Sequence, residues 1–116
     1  MSHRARRERE GATLNRIREE HQVDTGGRLF RNNVGEAVFE GRDGRKRRVR
    51  YGLGTGTSDL VGWTPQKISP EMVGRTVAVF TAYEVKRGSD RLTPDQERFL
   101  RAVEAAGGIA LTVEEP

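Results

Sequence analysis

The spacing of apolar and polar positions divides this 116-residue chain into short, well-separated elements. Over residues 8–21, Leu14 and Ile17 fall on one side of a wheel turning 100° per residue, which predicts a helix. Glu10 lies within about 40° of both, and His21 shares the stripe, whereas Glu8 and Glu19 fall opposite. Gly26-Gly27 breaks the helix, and Arg28-Leu29-Phe30-Arg31-Asn32-Asn33 reads as a short strand running into a turn. Ala37-Val38-Phe39 and Arg47-Arg48-Val49-Arg50-Tyr51 can pair as a hairpin across the loop Gly41-Arg42-Asp43-Gly44. A Gly/Thr loop over 52–57 leads to Asp59, followed by a brief strand at Leu60-Val61-Gly62-Trp63. Residues 64–75, with Pro65 and Pro70, read as a loop.

The β-rich alternation of residues 76–86 predicts a central strand. A second helix follows, with Thr93 as N-cap, Pro94 at the first helical position and Gln96 at the third, a capping box. Phe99, Leu100 and Val103 form its apolar face, Gly107-Gly108 ends it, and Ile109, Leu111 and Val113 make a last strand. The expected class is α/β in the order α-β-β-β-α-β, one domain over 1–116. Arg4, Arg6 and Arg7 place a basic arm at 1–7, either frayed or the start of the first helix.

Charge sharpens this outline. Residues 1–50 carry 14 Lys/Arg against 8 Asp/Glu, and residues 51–116 carry 7 against 9, so the net +4 resides in the first half. Arg42, Arg45, Lys46, Arg47, Arg48 and Arg50 crowd the hairpin. Arginine's planar fork matches phosphate, and a basic half with a pI above 9 is the electrostatic footprint of a nucleic-acid binder. The alternative is a solvated edge strand blunted by charge. The absence of cysteine excludes disulfides and thiolate metal sites. With no apolar run near the ~20 residues of a membrane span, and no apolar stretch at the N-terminus, a cytoplasmic protein is expected, in the host cell if phage-encoded.

Candidate chemistry centres on Asp59, Glu84 and Lys86. Side chains two apart on a strand share a face, so Glu84 and Lys86 point together, above Ala78, Phe80 and Ala82. Burying either charge alone is costly, so the two must be paired, metal-bound or functional. Asp59 and Glu84 would supply two carboxylates to Mg²⁺ or Mn²⁺ if their strands are neighbours. The Val85 carbonyl and Glu10 offer two further oxygens. Such an ion polarises a phosphate and acidifies a bound water, and Lys86 is placed to orient that water or stabilise developing charge.

Glu10, Arg31-Asn32-Asn33, Gly56-Thr57-Ser58-Asp59-Leu60, Glu84-Val85-Lys86 and Gln96 together resemble the VRR-NUC family, a branch of the PD-(D/E)xK nuclease superfamily. The resemblance spans nearly the whole chain, in order. It implies a restriction-endonuclease-like core, a mixed sheet flanked by helices, and metal-dependent cleavage of structured DNA. It gives Gln96 a place near the active site and Arg31, Asn32 and Asn33 a role in DNA contact, alongside Arg45, Lys46, Arg47, Arg48 and Arg50 of the hairpin. Small members of the family resemble Holliday-junction resolvases and act as homodimers. The readings that compete are a nicking or flap-type nuclease, a catalytically silent nucleic-acid-binding module, and a scaffold whose arginines meet an acidic partner. Trp63 and Tyr83 are expected in the core or at a dimer surface.

Overall fold

In a computed structural model, which describes residues 2–116, the first helix, α1, runs over His3–Thr25. The Ser2 hydroxyl accepts from the Ala5 amide at 3.1 Å, and Arg4 pairs with Glu8 one turn on at 3.1 Å. The basic segment expected as an arm or a helix start is the start of the helix. Gly26 closes it in the left-handed conformation, φ +74°, its amide donating to the Gln22 carbonyl. No residue of α1 is buried. Gly11, Leu14, Arg18 and His21 are half-buried and lie on one stripe, while Ile17 is more exposed than its periodicity suggests. The Arg18 Nε donates to the Leu29 carbonyl at 2.9 Å, which ties that stripe to the strand that follows.

The chain folds as two compact units, one ending at Gly62 and the other spanning Trp63–Pro116. In the first, strand β1 (Arg28–Arg31) is hydrogen-bonded to β4 (Leu60–Trp63). Asn32 stands against Asp59 and Arg28 against Gly62, so the two run antiparallel. Gly62 is required there, because a Cβ would fall on the Arg28 carbonyl. Strands β2 (Gly35–Glu40) and β3 (Lys46–Tyr51) form the expected antiparallel hairpin, in register from Gly35 opposite Tyr51 to Glu40 opposite Lys46.

The second unit is a strand–helix–strand unit: β5 (Thr81–Arg87), α2 (Pro94–Ala105) and β6 (Ile109–Glu115), with β5 and β6 parallel from Thr81 opposite Ile109. Thr93 and Gln96 form the full capping box: Oγ1 of Thr93 accepts from the Gln96 amide at 3.1 Å, and Oε1 of Gln96 accepts from the Thr93 amide at 2.9 Å. Val103 is 1% exposed and Trp63 9%. Trp63 meets Phe80 edge-on, ring centroids 4.7 Å apart, and Phe99 at 6.1 Å. Burying a Val side chain in this way stabilises by roughly 1.5–3 kcal/mol. Trp63 is therefore core, as expected, whereas Tyr83 is 62% exposed.

The class is mixed α/β, as the sequence predicts, but the pairing is finer than one mixed sheet. Five strands separate the helices, against three in the expected order, and together with β6, which follows α2, they pair as three two-stranded ladders, β1–β4, β2–β3 and β5–β6. The predicted strand over 76–86 is shorter: β5 begins at Thr81, and 75–80 is irregular. The ladder starts where Gly107 and Gly108 deliver β6 to it, with the Ile109 amide donating to the Phe80 carbonyl at 2.9 Å. Residues 76–79 have β propensity but no strand to pair with, and propensity alone does not make a strand. Ala78 thus drops out of the face shared by Glu84 and Lys86.

Candidate active site

The Gly/Thr loop before Asp59 is closed by the Thr57 hydroxyl, which donates to the Gly54 carbonyl at 2.6 Å, and is anchored by the side chain of Asn32. Nδ2 of Asn32 donates to the Thr57 hydroxyl at 2.8 Å and to the Ser58 carbonyl at 2.9 Å, and its Oδ1 accepts from the Leu53 amide at 3.0 Å. The Asn32 amide donates to the Asp59 carbonyl at 2.8 Å. All the hydrogen-bonding capacity of an asparagine except one lone pair is spent on fixing this loop and the residue it delivers. Gly52 enters the loop with φ +82°, against the Asn33 carbonyl, where a side chain has no room. The Asn32 side chain thus has a positioning task in the loop.

Asp59 opens onto a cleft of the first unit shared with Glu10, Thr13, Leu14, Ile17 and Arg31. Arg6, Arg7 and Arg9 line it too. Two carboxylates, Glu10 and Asp59, therefore stand in a cleft also lined by four arginines. The sequence marks Arg6 and Arg7 as part of a basic segment and Arg31 as a nucleic-acid contact, but does not place Arg6, Arg7 or Arg9 beside Asp59. Their signal is the helical spacing of Arg6, Glu10, Thr13 and Ile17, legible once the helix is extended back to His3.

The second unit brings Glu84, Lys86 and Gln96 together. Both charged side chains lie on the face of β5 toward α2, alternating with exposed Tyr83 and Val85. Gln96 bridges them: its Nε2 donates to Oε1 of Glu84 at 2.8 Å, and its Oε1 accepts from Nζ of Lys86 at 2.9 Å. The direct Lys86–Glu84 separation is 3.7 Å. The side chains are 15% and 31% exposed, so the pair is only partly screened by water. The demand that two such charges be paired is met by an amide that offers a donor to the carboxylate and an acceptor to the ammonium. Gln96 is held in turn by the capping box, which ties the orientation of this pair to the start of α2.

Among the described residues, no three or more Asp, Glu or His side chains form a group able to hold a metal ion. Within each unit the donors, Glu10 and Asp59 in the first and Glu84 with the Val85 carbonyl in the second, are oxygen atoms, the type a hard divalent cation takes. Mg²⁺ is commonly held by one or two carboxylates, with water and phosphate completing the shell.

The hairpin residues expected to touch nucleic acid are exposed, but their charges are not equivalent. Glu36 accepts from Nε of Arg50 at 2.9 Å and lies 3.8 Å from Nε of Arg48, and Asp43 lies 3.9 Å from Arg47. No described helix is long and apolar enough to cross a membrane. The family model described as the VRR-NUC domain matches residues 8–113. No curated protein and no solved structure gives a match.

Proposed function

The chain belongs to the VRR-NUC family, a nuclease domain whose substrate is DNA, and we propose that it is a divalent-metal-dependent, structure-selective endonuclease of PD-(D/E)xK type. The preferred substrate is branched DNA of the Holliday-junction kind, cut by a homodimer. A two-fold pair suits that task, since each copy cuts one of two symmetry-related strands.

The observation that carries this reading is the Glu84–Gln96–Lys86 network. A binding module that merely grips phosphate has no use for a part-buried carboxylate kept beside an ammonium by a dedicated amide. A bound Mg²⁺ or Mn²⁺ would polarise the scissile phosphate and acidify a water. Glu84 and the Val85 carbonyl of the second unit are oxygen donors proposed for such an ion, and Glu10 and Asp59 of the first unit are two further carboxylates proposed as metal ligands. Nζ of Lys86, with two of its three protons uncommitted once Gln96 is served, orients the attacking water or neutralises charge developing on the phosphate oxygens. Gln96 keeps Lys86 and Glu84 from collapsing onto each other, so that each remains available. Arg6, Arg7, Arg9 and Arg31 draw the phosphate backbone to the cleft of Asp59.

The test is substitution of the two carboxylates. Asp59→Ala and Glu84→Ala should each abolish cleavage and leave DNA affinity largely intact. Full activity in either variant would remove that residue from the site.

A further inference from the structure

Six cations and three carboxylates lie between Gly35 and Tyr51, and the structure sorts them. Glu36 takes Arg48 and Arg50, and Asp43 takes Arg47. Arg42, Arg45 and Lys46 have no carboxylate within salt-bridge distance among the described residues. These three sit together at the tip of the ribbon, and all are exposed. The tip itself is a defined turn. The Gly41 amide donates to the Arg45 carbonyl at 2.8 Å, the Gly44 amide to the Gly41 carbonyl at 3.0 Å, and Oδ1 of Asp43 accepts from the Arg45 amide at 3.0 Å. Gly44, at φ +75°, completes it. Free cations are therefore presented from a fixed backbone, while the cations nearer the base of the hairpin are neutralised in place.

We propose that this tip, through Arg42, Arg45 and Lys46, clamps the phosphates of a duplex arm of the DNA substrate, whereas Arg48 and Arg50, engaged by Glu36, brace the ribbon and add little to binding. A two-stranded ribbon is narrow enough to enter the major groove of B-DNA, about 12 Å wide, and such an entry brings a tip between two phosphate walls. Charge complementarity selects a polyanion as the occupant: three cations outside any ion pair fall within five residues, with Asp43, turned to the Arg45 amide and Arg47, among them and Glu40 standing opposite Lys46 without closing a salt bridge. The proposal rests on the reading of the chain as a DNA nuclease, and it adds Arg42 to the residues that touch DNA while removing Arg48 and Arg50.

The experiment measures DNA affinity of the full chain in EDTA, so that binding is read without cleavage. Anisotropy of a labelled four-way junction is followed across a salt series. Removing one cation that touches a phosphate should flatten the slope of log affinity against log salt by about 0.9. The triple variant R42A/R45A/K46A should therefore flatten it by about 2–3, and R42A alone by about 1. R48A/R50A should leave the slope within ~0.5 of wild type, and Glu36→Gln, which frees both arginines, should steepen it. The tip variants should melt within about 2 °C of wild type, as expected for exposed side chains without partners. An unchanged slope in R42A and in the triple variant, with wild type binding normally, would overturn the tip assignment and leave the nuclease reading standing. A flattened slope in R48A/R50A would overturn the assigned bracing role. Failure of wild type to bind any DNA would overturn both readings.

Discussion

Replacing Gln96 by Ala removes three hydrogen bonds made by one side chain, and their sizes can be worked out individually. The bond from the Thr93 amide is exposed and neutral, worth about 0.5–1.5 kcal/mol. The bonds to Glu84 and Lys86 involve charged groups, nominally about 1.5–3 kcal/mol each. Two effects reduce that figure. Glu84 is 31% exposed and regains water, and Lys86, 3.7 Å away, can close on it directly. A net loss of about 1–3 kcal/mol remains, and at about 4 °C per kcal/mol for a chain of this size, Tm should fall by about 4–12 °C. Cleavage should fall as well, by about tenfold or more, because a Lys86 locked on Glu84 is withdrawn from the phosphate. Gln96→Glu keeps the acceptor for Thr93 and Lys86 but sets a carboxylate against Glu84. It should preserve the cap and still lose activity. Differential scanning calorimetry and single-turnover cleavage read the two effects separately. A Gln96→Ala protein that melts within about 1 °C of wild type and cleaves at full rate would refute the idea that this amide organises the pair.

Further consequences concern the loop, the first helix and the ammonium. Asn32→Ala should loosen residues 53–57 and cost about 1–3 kcal/mol, seen as faster proteolysis within the loop and as lost cleavage through a displaced Asp59. Gly11→Ala should stabilise by roughly 1 kcal/mol, since Gly11 is inside α1 and a Cβ there meets nothing within 4 Å; a fall in Tm would show that the helix is packed more closely around Gly11 than this open space implies. Lys86→Ala should lower the cleavage rate by about a hundredfold while leaving metal affinity nearly unchanged, which metal titration of both proteins will test.

Much of the molecule was legible because local rules and tertiary pairing agree. Thr93, Pro94 and Gln96 announce α2 to the residue, and Gly107-Gly108 places its end within two. The hairpin register follows from the loop at Gly41–Gly44. The alternation around Glu84 and Lys86 put both on one face, and the structure adds why they tolerate it, through Gln96. What the sequence left open or misplaced has physical causes. Residues 3–9 contain no large apolar side chain, so periodicity is blind to that part of α1, although the Ser2 cap and the Arg4–Glu8 spacing were there to be read. Residues 76–79 look like strand because Val77 and Val79 are β-branched, yet strand formation depends on a partner that sequence does not display. The task of Asn32 is set by bonds to residues 21–26 positions away, beyond any local pattern. Which hairpin arginines are free is likewise a matter of geometry, since composition counts Arg42 and Arg50 alike.

The most direct test of the central claim is cleavage of labelled duplex, nicked, flap and four-way-junction DNA in Mg²⁺, in Mn²⁺ and in EDTA, with Glu84→Ala alongside. Metal-dependent cutting, strongest on the four-way junction, paired across its two-fold axis and lost in the variant, is the predicted result. No cutting in either metal by a folded wild type that binds DNA, or equal cutting in EDTA, would contradict it.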